Sequence, residues 1–287
     1  MKTIQRILDQ HGALALPGLF DALSALIAQK AGCPMGFVSG YSVAATALGE
    51  PDLGLLTQTE IVAQARRICK SVSIPVLVDA DTGYGNALNT YRTVNELIDT
   101  GAAGCFLEDQ VWPKRCGHMR DKRVVERGEY LERIRAAVEA RGEHDFFIVA
   151  RSDAEAVIGL HEAVDRVSAA HALGADACFV EAPGSVEQLA EIGRRTPGPR
   201  VANMIEGGKT PLLPKQQLAE LGFQLILYPL TGLFGAAAAM HQLCTKLMAD
   251  GTSAGAEDQL MDFASFNELI GVEERLELVR RLQEVEE

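Results

Sequence analysis

The sequence predicts an α/β protein whose strands and helices alternate eight times and close into a (β/α)8 barrel, with extra helices at the C-terminal end. Three observations carry that expectation. Short, near-continuous apolar runs recur eight times, the pattern of parallel strands covered on both faces. Amphipathic segments with helix start and stop signals separate them. The 287 residues are long for one ordinary domain but normal for a single barrel of this kind. An open doubly wound sheet of similar size competes, but no GxGxxG follows a first strand, which weakens its dinucleotide-binding version.

In chain order, strands are expected at 13–17, 36–40, 75–81, 104–109, 146–151, 177–181, 200–205 and 225–228. Between them, Thr57-Gln-Thr-Glu60 is a capping-box pattern ahead of an apolar helical stretch. A helix running from Tyr130 ends at Gly142, and Ser185 followed by Gln188 opens another. The eighth helix spans about 233–250. No linker or low-complexity tract divides the chain, so residues 1–251 form one catalytic barrel and residues 252–287 a helical extension. A barrel does not need that surplus, which includes an amphipathic segment at 272–286; it packs on a neighbouring subunit or caps the barrel.

No apolar run reaches the length needed to cross a bilayer, and the first residues lack a signal-peptide pattern, so a cytoplasmic protein is expected. The net charge of −12, with Lys and Arg scattered rather than striped, disfavours nucleic-acid and membrane partners. Of the six cysteines, Cys33, Cys69, Cys105, Cys178 and Cys244 sit in apolar segments and read as buried thiols. Cys116 alone lies among charged and small residues.

Barrels of this type build their sites at the C-terminal ends of the strands. There the chain places Ser39-Gly-Tyr-Ser42, Asp79-Ala-Asp81, Glu108, Lys114-Arg-Cys-Gly-His118, Arg151, Glu181 and Asn203-Met-Ile-Glu206. Asp79 and Asp81 are two apart, so on a strand both point the same way, and two carboxylates forced together call for a cation. All candidate ligands are oxygens, which suits Mg2+, with Mn2+ as the alternative. Asp81 is the expected direct ligand, with Asp79 and Glu108 acting through water. A thiol flanked by Lys114, Arg115 and His118 should have a lowered pKa and serve acid/base chemistry, unless the segment is only a solvated basic loop. Arg151 at a strand end suits a bidentate carboxylate clamp, a structural pairing with Glu181 or Glu206, or both. Gly83-Tyr-Gly85 and Gly207-Gly208 give a weaker signal for backbone amides approaching an anion.

These motifs, in this order, resemble the isocitrate lyase/phosphoenolpyruvate mutase superfamily. The likeness runs from Pro17-Gly-Leu-Phe-Asp-Ala-Leu-Ser24 to Phe266-Asn-Glu-Leu-Ile270. Its most specific parts are Val78-Asp-Ala-Asp-Thr-Gly-Tyr-Gly85 and Glu108-Asp-Gln-Val-Trp-Pro-Lys-Arg-Cys-Gly-His118. The resemblance implies a TIM barrel assembled as a homotetramer in which C-terminal helices swap between subunits. It makes Asp81 the magnesium ligand, with Asp79 and Glu108 in its hydration shell. Ser39, Gly40 and Tyr41 then look like the substrate carboxylate pocket, and Arg151 like the substrate-binding arginine. Glu181 and Asn203 match residues lining the site, with Gly117 and Thr231 also expected against substrate. Lys114, Arg115, Cys116 and His118 look like a mobile gating loop, and Cys116 marks the lyase branch, where it protonates the carbanion-like leaving carboxylate.

Within the superfamily the motifs look most like the 2-alkylmalate and 2,3-dimethylmalate lyases, with 2-methylisocitrate lyase as neighbour. The implied reaction cleaves a small 2-hydroxy dicarboxylate to a 2-oxo acid such as pyruvate and a carboxylate. Tyr41, Glu181 and a metal-bound water all remain open as the base. Thr231 stands where oxaloacetate hydrolases tend to carry serine, which disfavours oxaloacetate hydrolysis or decarboxylation. Cys116 argues against a phosphonopyruvate hydrolase or mutase. The retained acidic pair, Cys116 and Arg151 argue against a barrel that has lost catalysis and serves only as an assembly subunit.

Overall fold

Each strand pairs in parallel with the next in sequence, and the last pairs with the first, so the sheet closes into an eight-stranded barrel. The structure is a computed structural model, which describes residues 3–283. It begins with α1 (Thr3–His11), β1 (Leu14–Leu19), α2 (Ala22–Lys30) and β2 (Gly36–Val38). A short α3 (Gly40–Val43) runs on into a π-helical stretch at Ala44–Leu48, followed by α4 (Gln58–Ser71). The regular alternation then continues through β3 (Val76–Asp79), α5 (Ala87–Thr100), β4 (Gly104–Glu108), α6 (Arg127–Arg141), β5 (Phe147–Ser152) and α7 (Leu160–Ala172). It closes with β6 (Ala177–Val180), α8 (Val186–Arg195), β7 (Arg200–Asn203), α9 (Lys215–Glu220), β8 (Leu225–Tyr228) and α10 (Thr231–Asp250). Beyond it lie α11 (Phe263–Leu269) and α12 (Val272–Gln283). The amphipathic segment expected at 272–286 is helical to Gln283, and its last three positions fall outside the described residues.

Side chains alternate across a strand, and here the alternation sorts two cores. Leu16, Phe37, Leu77, Phe106, Val149, Phe179, Val201 and Leu227 point into the barrel. Their neighbours Val38, Val78, Leu107 and Ile148 point outward, where α2, α4, α5 and α6 cover them with residues such as Ala25, Ile61, Val94 and Ile134. Helix α1 was not expected as an element. Its Ile4 and Leu8 are buried with Leu14 and Met35, so it plugs the N-terminal end of the barrel and leaves the opposite end for the site.

Strand limits differ from expectation at both ends. The first strand runs on to Leu19 rather than stopping at Pro17, and its register against β8 pairs Pro17 with Tyr228. The third stops at Asp79, because Asp81 takes a left-handed backbone (φ 47°) that no strand accommodates. Cys244 is exposed on α10 rather than buried, and no residue of α10, α11 or α12 is buried. Among the described residues no helix is long and apolar enough to cross a membrane.

Candidate active site

The cavity lies at the C-terminal mouth of the barrel, one inward step above the aromatic layer. Phe37, Phe106 and Phe179 stack edge to face, with ring centroids 5.5 and 6.2 Å apart, and form its floor with Leu227. Two residues further along each strand, the same inward alternation carries Ser39, Asp79, Glu108, Arg151, Glu181 and Asn203. An apolar floor beneath a polar ring is what a small, charged substrate needs: the floor excludes water and the ring orients.

Carboxylates and cations are packed here without solvent. Asp52, Asp81, Glu108, Asp153 and Glu181 are buried, against the buried cations Lys114, Lys122 and Arg151. Lys114 Nζ meets Asp52 Oδ1 at 2.6 Å and Asp81 Oδ1 at 2.9 Å. Burial pushes the Asp81 carboxyl up to about 7 even though Lys114 opposes it, and burial likewise lifts Glu108 well above the usual range despite Arg151. Glu108 Oε1 is buried without a hydrogen-bond partner. A surplus of buried carboxylates, one with an orphaned oxygen, is relieved by protons or by a cation, so these residues fit a divalent metal. Among the described residues no three His, Cys, Asp or Glu converge closely enough to cage one directly.

Arg151 lies over the Phe179 ring at 5.3 Å, its Nε 3.2 Å from Glu108 Oε2 and 2.9 Å from Asp153 Oδ2. Its Nη2 faces Glu181 Oε1 at 3.8 Å, and Asn203 Nδ2 donates to the same Glu181 oxygen at 3.1 Å. The partners of Arg151 therefore include Glu181 but not Glu206, whose Oε1 accepts from the Thr231 hydroxyl instead. Asp153 lies two residues past Arg151, on the same face. Burial alone would raise Asp153, yet Arg151 and Lys122 outweigh it and hold the carboxyl far below its ordinary value.

The segment between β4 and α6 folds over the cavity. Arg115 and Gln110 exchange hydrogen bonds at its base, and the Cys116 amide donates to the Asp52 carbonyl at 3.1 Å. Cys116 and Gly117 line the cavity together with Tyr41, Arg151 and Glu181. A Cβ at Gly117 would overlap Glu181 Oε1 and Arg151 Nη2, so only glycine lets the backbone approach this closely. His118 Nδ1 accepts from the Lys209 amide at 2.9 Å, which leaves its Nε2 as the protonated nitrogen, 3.4 Å from Glu181 Oε1. Burial lowers the His118 pKa.

The lowered pKa expected of Cys116 is reversed. Burial and the nearby Asp52 push the thiol up to about 11, and Lys114 is too committed to carboxylates to offset them. Ser39 caps α3 through its hydroxyl, and Gly40 leaves room for Asp79 Oδ2, where a Cβ would come within 2.9 Å. Of the expected site residues, Gly40, Asp81, Glu108 and His118 sit behind the cavity wall, and Arg115 and Thr231 turn away from it. Arg115 is exposed and turns towards Asp121 at 3.7 Å, while Thr231 opens α10 and is held by Glu206. The glycines at 83 and 85 pack on Thr90 and Asn89 of α5, not on a cavity for an anion. Asp52 gave no signal in the sequence, because it sits on a loop after β2 and reaches Lys114 only through the closed barrel.

Residues 4–248 match the family model described as phosphoenolpyruvate phosphomutase. The chain belongs to the phosphoenolpyruvate mutase/isocitrate lyase superfamily. It is 49% identical to the petal death protein of Dianthus caryophyllus, over 96% of this chain and 87% of that one. It is 48% identical to the chloroplastic carboxyvinyl-carboxyphosphonate phosphorylmutase of Arabidopsis thaliana, over 96% and 83%. The 2,3-dimethylmalate lyase of Eubacterium barkeri is 42% identical over 94% and 93%. Among solved structures, a 2,3-dimethylmalate lyase superposes with TM-score 0.92 at 35% identity, covering 98% of this chain and 94% of that one. An oxaloacetate acetylhydrolase bound to 3,3-difluorooxalacetate also gives 0.92, at 32% identity over 97% and 95%. A phosphonopyruvate hydrolase solved with oxalate and Mg2+ gives 0.84, at 27% identity over 98% and 99%. The superfamily is one of lyases and mutases, so this chain is an enzyme.

Proposed function

We propose that this chain is a magnesium-dependent carbon–carbon lyase. Its substrate is a 2-hydroxy dicarboxylate of the 2-alkylmalate, 2,3-dimethylmalate or 2-methylisocitrate type, cleaved to a 2-oxo acid such as pyruvate and a second carboxylate. The observation that carries the reading is the Cys116 thiol, held protonated on the same cavity wall as the Arg151 guanidinium and the Glu181 carboxylate. An enolate-like dianion needs such a pair: a fixed cation to hold its charge and a neutral acid to quench its carbon.

Asp81 would hold the magnesium ion, with Asp79 and Glu108 reaching it through water, and Mn2+ would fit the same oxygens. When bound, the ion supplies positive charge beside the 2-hydroxyl and its neighbouring carboxylate, easing loss of the hydroxyl proton. Tyr41 is a poor base, because burial together with Cys116 and Asp52 raises its pKa. Glu181 is the remaining side chain and takes that proton. The C2–C3 electron pair then moves to C3, and the thiol proton of Cys116 is delivered there, leaving a thiolate that regains its proton through Glu181 and water. Arg151 holds the developing carboxylate charge, and the closed loop keeps water from quenching the carbon early. Ser39 and Asn203 line the remaining polar wall and orient the substrate carboxylates, with Gly40 packed behind Asp79.

Oxaloacetate hydrolysis is the second reading, supported by the superposition on the acetylhydrolase. The Thr231 argument against it has no contact behind it, since Thr231 points to Glu206. The deciding assay offers purified protein and MgCl2 the malate-type substrates, 2-methylisocitrate, oxaloacetate and phosphonopyruvate, and follows 2-oxo acid or phosphate. Magnesium-dependent pyruvate from a malate-type substrate is expected, abolished by EDTA and reduced by more than roughly 1,000-fold in Cys116→Ala. Consumption of oxaloacetate alone, phosphate from phosphonopyruvate, or wild-type turnover by Cys116→Ala would sink the lyase reading. A homotetramer with swapped C-terminal helices belongs to the same proposal, on the strength of the uncovered apolar faces of α10 to α12.

A further inference from the structure

Lys122 and Asp153 take no part in the chemistry proposed above and do not line the cavity, yet both are buried beside it. A buried ammonium and carboxylate are costly unless each is fully paired. Lys122 is paired twice: Nζ donates to Asp153 Oδ1 at 2.7 Å and to the Gly117 carbonyl at 2.6 Å. Asp153 is paired with Arg151 as well, through Nε at 2.9 Å and Nη2 at 3.2 Å. Its backbone is pinned from behind, because its amide donates to Asp109 Oδ1 at 2.7 Å and Asp109 is itself held by Ser152 and Arg166. One anchored carboxylate thus joins the guanidinium in the cavity to the carbonyl of the residue that follows Cys116. The chain returns at Lys122 to grip its own loop five residues back.

We propose that Lys122 and Asp153 are positioning residues: a latch that holds the Cys116 loop shut and registers its thiol against the Arg151 guanidinium. Loop closure and arginine orientation then share one contact, so neither is complete without the other. The same contacts fix the backbone at Gly117 where it packs against Glu181 and Arg151. The inference rests on the lyase reading only in what the loop delivers.

Hydrogen exchange of the unligated protein, read by mass spectrometry, tests the latch independently of any substrate. In Lys122→Met the side chain keeps its length and Asp153 keeps Arg151, so the barrel wall stays satisfied. Exchange in residues 116–121 is expected to quicken roughly 10- to 100-fold while barrel peptides stay unchanged. Asp153→Asn quickens the same peptides, and the double variant no more than the larger single effect, because both act through one contact. Unchanged exchange of the loop in Lys122→Met, or quickening spread evenly over the barrel, overturns the proposal. Failure of the substrate panel with a loop-specific response would leave the latch standing and remove only the lyase reading.

Discussion

Cys116 sits between opposing electrostatic influences, and their balance sets what it can do. Lys114 and the backbone amide of His118 favour the thiolate; burial, Asp52 and Glu181 favour the thiol, and the latter group wins. At neutral pH the group is therefore a proton donor rather than a nucleophile. This has a chemical signature. At pH 8 a thiol of pKa about 11 carries roughly 100-fold less thiolate than one at 9.0, so alkylation of ligand-free protein should label exposed Cys244 well ahead of Cys116. The Cys116 rate should still be climbing beyond pH 10. The sign for stability follows: the fold favours the protonated thiol, so its contribution is complete below pH 9 and lost as pH rises towards 11. A Cys116 alkylation rate that levels off near pH 8 would contradict the buried, carboxylate-flanked environment.

At the scale of elements, the β3–α5 connection shows how the barrel aims a ligand. Asp81 leaves the strand in a left-handed conformation, and Gly83 follows at φ 80° with α5 packed against it. A Cβ at Gly83 would overlap the Thr90 hydroxyl and come within 2.9 Å of its Cβ. Gly83→Ala should therefore cost about 2 kcal/mol, from backbone strain and steric displacement together, and lower Tm by several degrees. Because the same turn orients Asp81, magnesium affinity should fall with it. Thermal unfolding and a metal titration on the one variant check both, and an unchanged Tm would refute the packing argument. The adjoining helix start is secured separately by the reciprocal capping of Asn86 and Asn89.

At the scale of the whole molecule, the apolar surface is unevenly finished. Phe234, Met240, Leu247 and Met248 on α10, and Phe263 and Ile270 after it, are left open. Monomeric proteins rarely expose so continuous an apolar face. Light scattering should give a mass several times the 30.9 kDa of one chain, and truncation after Gly251 should lower it. A stable, soluble monomer at micromolar concentration would refute the swapped assembly.

The sequence by itself determined the barrel and the ring of strand-end residues. Eight apolar runs with helices between them admit few closures, and period-two alternation dictates which side chains point inward once each strand is placed. Asp79, Glu108, Arg151, Glu181 and Asn203 were legible for that reason, and Asp153 could have been found by the same rule. What only the tertiary structure decided were the contacts between segments far apart in the chain. Asp52 meets Lys114, Lys122 reaches Asp153, and Asp52 faces Cys116 with an effect opposite to that of the cations adjacent in sequence. Those outcomes depend on burial and on charges at a few ångströms, and neither quantity exists until the barrel has closed.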